Sequence, residues 1–332
     1  MKKVIVASLF LTASLAIFAQ KPLERGLQSI SQQAAKASIN FLASDELEGR
    51  EAGTRGGRVA GEYIVSLLRL MNISPLGDSY YQPFETYRKE RQQKGKWQVH
   101  PDSIVLIKSG VHKRLQLNNI LGKIEGKHPD EYVIVGAHYD HIGMDPTLVG
   151  DCIYNGADDN ASGVSAVLQL AQAFLASGEK PERTIIFAFW DGEELGELGS
   201  GYFVQSSPFI QSVKGYLNFD MIGRNTNEAK PQLVDYFYTE SHPAFGDWLK
   251  NDIKKYNLKL EPIYHAWDKP VGGSDNSSFA KAGIPIIWYH TNGHPDYHKP
   301  SDHADRLNWE KLVEITKASF LNVWKLANEK EY

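Results

Sequence analysis

Histidines and carboxylates recur at a few well-separated places in this 332-residue chain. His138-Tyr139-Asp140-His141 closes one apolar run, and Asp158-Asp159 sits in a Gly-flanked turn, Asn155-Gly156-Ala157-Asp158-Asp159-Asn160-Ala161-Ser162-Gly163. Asp191-Gly192-Glu193-Glu194 closes a second run and Asp220 a third, while the loop 293–302 carries His294, Asp296, His298 and Asp302. A mixed set of imidazole and carboxylate suits Zn²⁺ or Mn²⁺ better than Ca²⁺, which prefers oxygen alone. Two histidines with three carboxylates are enough for two metals sharing one bridging carboxylate. Such pairs lie roughly 3.5–4 Å apart in hydrolases and can hold both the attacking water and the electrophile. Adjacent Glu193 and Glu194 could then divide the work, one coordinating and its neighbour moving a proton. Taken singly, each signal has a plainer reading: an Asp-Asp pair is usually a turn, a Glu-Glu pair a solvated helix surface, and a lone His a satisfied core residue. Their joint placement is what points to a site.

That placement depends on the elements between them. Strands are expected at 132–137, 184–190, 215–219 and 284–290, separated by helices at 161–176, 198–205, 243–256 and 277–282, with a closing amphipathic helix at 309–327. Runs rich in Val, Ile and Phe without alternation suit a sheet covered on both faces. Ahead of them, 27–42 and 58–71 have helical spacing, and 81–87, 103–107 and 115–121 read as short strands. The expected fold is α/β: a single globular domain whose central mixed, mostly parallel sheet carries helices on both faces. Its expected extent is 20–332, with N-terminal helices and strands over 20–114 and a catalytic core over 115–327. Each central strand ends in a potential ligand. Active sites of open α/β sheets lie beyond the carboxyl ends of the strands, so these distant residues can meet at one rim.

Composition narrows the function classes. The chain is 42% hydrophobic and 23% charged with a formal charge of −4, which fits a globular protein and argues against a nucleic-acid polyanion as partner. Residues 1–19 read as a secretory signal peptide: Lys2 and Lys3 precede a nearly continuous apolar run, and Ala19 stands at a plausible cleavage point. An exported protein, periplasmic or secreted and free of the membrane after cleavage, is expected. Cys152 is the one cysteine, so no internal disulfide can form, and a small semi-buried residue is its expected role. No Gly-x-Ser-x-Gly elbow and no His-Glu-x-x-His occurs, which disfavours a serine hydrolase and a thermolysin-like zincin.

The ordered motifs Gly136-Ala137-His138-Tyr139-Asp140, Gly156 to Gly163, Asp191 to Gly196, Asn218-Phe219-Asp220-Met221-Ile222-Gly223 and Tyr297-His298 resemble the co-catalytic di-zinc aminopeptidases, the bacterial leucyl aminopeptidase and aminopeptidase Y type, related to glutaminyl cyclase and glutamate carboxypeptidase. The similarity covers roughly 115–325 and extends loosely to the leader 42–50. It implies a zinc exopeptidase fold and two divalent metals, Zn²⁺ by preference. His138 and Asp220 complete one metal's shell, Glu194 and His298 the other's, and Asp158 bridges, with a cis Asp158–Asp159 bond. It further implies that Asp140 orients His138 through the distal ring nitrogen. Glu193 would be the general base, acting on a water held between the metals and then on the leaving amine. The implied function is aminopeptidase hydrolysis of peptide N-termini. The alternatives are a single-zinc glutaminyl-peptide cyclotransferase, a carboxypeptidase or a non-catalytic binding module. One departure is Ser274-Asp275-Asn276, where the family often has Ser-Asp-His.

Overall fold

The apolar runs form the centre of one nine-stranded sheet in a computed structural model that describes residues 21–90, 95–268 and 272–332. The strands are β1 (Ser74–Pro75), β2 (Tyr81–Lys89), β3 (His112–Ile124), β4 (His128–His138), β5 (Arg183–Trp190), β6 (Val213–Phe219), β7 (Leu233–Tyr238), β8 (Glu261–Ala266) and β9 (Ile286–His290). They lie in the order β1-β3-β5-β4-β6-β9-β7-β8, with β2 paired to β3. The central run β5-β4-β6-β9 is parallel; β3 joins one side of it and β7 the other, both antiparallel. The fold is the expected α/β domain with a mixed sheet, its parallel character concentrated at the centre.

The helices are α1 (Pro22–Ser29), α2 (Gln32–Leu42), α3 (Arg55–Leu70), α4 (Pro101–Lys108), α5 (Gly163–Ser177), α6 (Leu198–Ser206), α7 (Ala244–Tyr256), α8 (Asn276–Lys281) and α9 (Trp309–Asn328). Alternation along the buried strands feeds both faces of the sheet. Val133, Val135, Ile185, Phe187, Phe189, Leu217 and Phe219 enter a core shared with α2, α3, α5, α7 and α9. The residues between them, including Ile134, Ile186, Trp190 and Tyr216, point to the opposite face, where Phe203 of α6 and Phe279 of α8 cover them. The same period of two that would mark a half-exposed strand here supplies two cores.

Several local expectations differ. The run 103–107, expected as a strand, is the middle of α4. Pro101 opens that helix, where its missing N–H costs nothing, and Asp102 sits in the first turn. The helical stretch 27–42 is broken: Ile30 is extended, and the Ser31 side chain accepts the Ala34 N–H (3.2 Å) to start α2 afresh. Strands β7 and β8 lacked a clear signal, β8 because it lies at the sheet's edge and is half exposed. The signal segment expected over 1–19 lies outside the described residues. Among the described residues no helix is long and apolar enough to cross a membrane. Cys152 is half-buried and unpaired, as expected.

Candidate metal centre

Because β4, β5, β6 and β9 run parallel, their carboxyl ends share one edge of the sheet. His138 is the last residue of β4, Asp191 follows β5, Asp220 follows β6, and the loop after β9 carries His298. The fifth contribution is the turn 157–162 that opens α5. Gly156 makes that turn possible: its φ is +58°, and a Cβ there would lie 2.2 Å from the Asp159 carbonyl oxygen.

Six side chains meet there. His138 Nε2 lies 3.3 Å from Asp159 Oδ1 and 3.6 Å from Asp220 Oδ1. His298 Nε2 lies 3.2 Å from Asp159 Oδ2 and 3.1 Å from Glu194 Oε2. His141 Nδ1 is 2.7 Å from Glu194 Oε1. Asp159 therefore faces two groups at once, one with His138 and Asp220, the other with Glu194, His141 and His298. The expected bridge was Asp158, and here the structure differs. The Asp158 carboxylate turns away, accepting the Gly223 N–H (2.6 Å) and lying 3.4 Å from His294 Nε2. The cis peptide also falls one residue later than expected, at Asp159–Asn160. Adjacent side chains on this turn leave in opposite directions, so only one of the pair reaches the rim. His138, Glu194, Asp220 and His298 do converge as the resemblance implied.

Asp140 is fully buried, but its carboxylate does more for the neighbouring loop than for His138. Its oxygens accept the N–H groups of Glu193 (3.1 Å) and Glu194 (3.3 Å). His138 Nδ1 lies 3.2 Å from the Asp140 carbonyl and 3.8 Å from its carboxylate. The distal nitrogen of His138 is thus oriented by residue 140, through the main chain. Of the loop after β9, only His298 enters the cluster. Asp296 pairs with Arg224 (2.7 Å), and Asp302 accepts the N–H groups of Asp158 (3.0 Å) and Asp159 (3.1 Å), which steadies the turn. Asn276 and Ser274 both accept from the Asn218 side chain, at 3.3 and 3.0 Å.

The electrostatics call for positive charge. Burial works against the imidazolium of His298, yet Asp159 and Glu194 outweigh it and lift its pKa to about 10. His138 is raised in the same way, with Asp159 and Asp220 overcoming burial. Burial pushes the Glu193 carboxyl well above the usual carboxylate range; His138 opposes this, and Asp220, Asp275 and Glu194 add to it. The Nε2 atoms of His138 and His298 are buried with no hydrogen-bond partner, each beside two carboxylates. Orphaned ring nitrogens of this kind are costly unless a cation uses them. The imidazole and carboxylate donor set fits Zn²⁺. Two overlapping groups of donors are present, His138–Asp159–Asp220 and His141–Asp159–Glu194.

The sequence assigns Arg50 no role, and it marks His141 only as a neighbour of His138 in the segment His138-Tyr139-Asp140-His141. Arg50 is buried, and its guanidinium donates to the carbonyls of Leu42 (2.7 Å), Tyr139 (3.0 Å), Asn155 (2.5 Å), Gly156 (3.0 Å) and Asp159 (3.4 Å). It ties the leader to the segment after β4 and to the turn that carries Asp159, two of the five segments that converge on the cluster. The only available hint was its place at the end of the leader motif.

The sequence profile of Peptidase family M28 matches residues 119–323. This chain belongs to Peptidase family M28. Leupeptin-inactivating enzyme 1 of Streptomyces exfoliatus is 33% identical over 170 residues, covering 51% of this chain and 34% of that protein. The chain thus spans about a third of that relative's length. Among solved structures, the zinc aminopeptidase BSAP of Bacillus subtilis aligns with a TM-score of 0.68 and 18% identity, over 91% of this chain and 97% of its own. The glutaminyl cyclase of Macrostomum lignano aligns with a TM-score of 0.65 and 18% identity, over 92% of each chain. At such identities these likenesses bear on the fold. The M28 profile takes in every strand-end residue of the cluster.

Proposed function

We propose that this chain is an exported metallo-exopeptidase, an aminopeptidase that removes N-terminal residues from peptides at a centre of two zinc ions. The observation that carries the reading is Asp159, whose two oxygens face two separate donor groups, 3.3 Å from His138 on one side and 3.2 Å from His298 on the other. His138 and Asp220 would hold one ion, Glu194 and His298 the other, and Asp159 would be shared. Bound there, the metals would polarise the scissile carbonyl and make water acidic enough to attack near neutral pH.

The chain's own groups do the rest. Glu193 would take the proton from the attacking water on its carboxylate and pass it to the departing amine nitrogen. Its main chain is anchored for this by Asp140, which accepts its N–H. Asp302 and Asp140 accept the N–H groups of Asp159 and Glu194, which would hold these two candidate ligands in position ahead of metal binding. The carboxylates around the site favour a substrate with a cationic end, which suits a free N-terminal amine. Cleavage of the N-terminal segment by a signal peptidase, expected from residues 1–19, would release the domain into the periplasm or medium.

Glutaminyl cyclisation on one zinc is the second reading, favoured by the fold likeness to the glutaminyl cyclase. A one-metal enzyme has no need of a carboxylate facing two donor groups, so hydrolysis is preferred. The test is an assay of metal-replete protein on an aminoacyl-anilide panel and on N-terminal glutaminyl peptides, with and without chelator. Chelator-sensitive release of the anilide is expected, and Glu193→Gln should keep its metals while losing at least about 100-fold in kcat. Cyclisation without hydrolysis, or hydrolysis by Glu193→Gln at the parental rate, would overturn the reading.

A further inference from the structure

His141 belongs to neither the expected ligand set nor the proposed chemistry, yet it sits inside the cluster. Its side chain is fully buried, and its Nδ1 lies 2.7 Å from Glu194 Oε1 but 3.9 Å from Asp159 Oδ2. The first distance is a short hydrogen bond, and the second is too long to be one. His141 therefore engages a single carboxylate oxygen.

We propose that His141 is a positioning residue for Glu194: by donating from Nδ1 to Oε1 it leaves Oε2 as the one oxygen offered to a metal. This rests on the metallopeptidase reading above. A glutamate facing a cation can bind through one oxygen or both, or rotate away on its flexible stem. Here the two oxygens are given different tasks. Oε1 is tied to His141, and Oε2 lies 3.1 Å from the Nε2 of His298, on the side that Asp159 also faces. One-oxygen binding keeps a coordination position open, which a catalytic zinc needs for water or substrate.

The ring that imposes this is itself held in place. His141 N donates to the Arg50 carbonyl (3.2 Å), so its main chain is anchored. The ring lies against Gly156, where an added Cβ would come within 2.6 Å of His141 Cδ2, so the turn's glycine also makes room for the imidazole. The His298 ring packs edge-on against it with centroids 5.7 Å apart. Glu194 is consequently gripped at both ends by consecutive residues, its N–H by the Asp140 carboxylate (3.3 Å) and its side chain by His141.

Two variants separate this role from the alternatives. His141→Ala removes the donor. His141→Asn puts an amide N–H close to where Nδ1 stood, but supplies no ring nitrogen. Zinc affinities of the two positions are read by titration against a chelator, and Co²⁺-substituted protein gives the coordination from its visible absorption. Far-UV circular dichroism checks folding. His141→Ala should weaken one of the two positions by about 10–100-fold, the loss typical of a hydrogen-bonding partner to a ligand, and alter its cobalt spectrum. His141→Asn should restore both, while the position of His138 and Asp220 stays as in the parent throughout. Parental affinity and spectrum in His141→Ala would overturn the proposal. So would an Asn variant as weak as the Ala variant, which would make His141 a ligand in its own right. Failure of the parent chain to take up two ions would instead overturn the metal reading on which the proposal rests.

Discussion

Replacing Arg50 with Met keeps most of the side chain's volume and removes its five donor contacts. Arg50 reaches carbonyls in four segments: the end of α2, the residue after β4, the turn before α5, and Asp159 itself. The Asp159 contact is long at 3.4 Å, and the Gly156 carbonyl also accepts from Ala161 N–H (3.2 Å). Three carbonyls, of Leu42, Tyr139 and Asn155, therefore carry most of the loss. A buried acceptor left without its donor costs about 1–3 kcal/mol. Three of them give about 3–9 kcal/mol, and the lower half applies because a carbonyl tolerates partial satisfaction and water can enter. A second correction acts in the same direction. Burial strains the guanidinium enough to lower its pKa to about 10, despite the nearby charges of Asp159, Asp140, Asp302 and Glu194, and Met relieves that. The net expectation is a loss of about 3–5 kcal/mol. Urea unfolding of parent and variant at neutral pH, in chelator, measures it. Arg50→Lys keeps the charge but spans fewer carbonyls, so its loss should be intermediate, and it serves if the Met variant does not fold. A loss below about 1 kcal/mol in both variants would refute the view that these bonds organise the ligand loops.

Other consequences follow from the same geometry. Asp159→Asn should weaken both metal positions together, whereas Asp158→Asn should leave metal content at the parental level, since its amide oxygen can still accept from Gly223; metal analysis after dialysis decides, and the reverse pattern would restore Asp158 as the bridge. Lys311 is buried in α9, donates to the Arg224 and Leu233 carbonyls, and has its pKa lowered to about 8 by burial, against the pull of Asp158. The unfolded chain holds this proton to about pH 10.4, so between about pH 8 and 10.4 it binds more protons than the native state, and this group makes stability rise with pH. Below about pH 8 the cost of the buried charge is present in full. Lys311→Met lacks that cost, so its stability relative to the parent should be highest near neutral pH and fall as the pH approaches 10; urea midpoints that differ by a constant amount across this range would contradict it.

Much of the centre is legible in the sequence. The apolar runs announced the central strands, the rule that α/β sites lie beyond strand ends gathered the candidate ligands at one rim, and the family resemblance picked out His138, Glu194, Asp220 and His298 among them, which do meet. Less legible was the run 103–107, because a short stretch of β-branched residues has no period long enough to separate strand from helix, and Pro101 decided the matter from outside it. Strand β8 was obscured for a related reason: an edge strand need not be apolar.

Residue types and spacing by themselves determined the central strands of the sheet, the rim at their ends and the chemistry of the donor set. What only the tertiary structure decided was direction. Asp158 and Asp159 are identical in type and adjacent, yet the left-handed Gly156 and the turn that follows send Asp159 to the rim and Asp158 to Gly223. The same holds for Asp140, whose carboxylate grips the 193–194 backbone, and for His141, whose role depends on which oxygen of Glu194 its ring can reach. Side-chain direction in an irregular turn is fixed by a few backbone angles and by neighbours distant in sequence, and no local pattern of residue types encodes it.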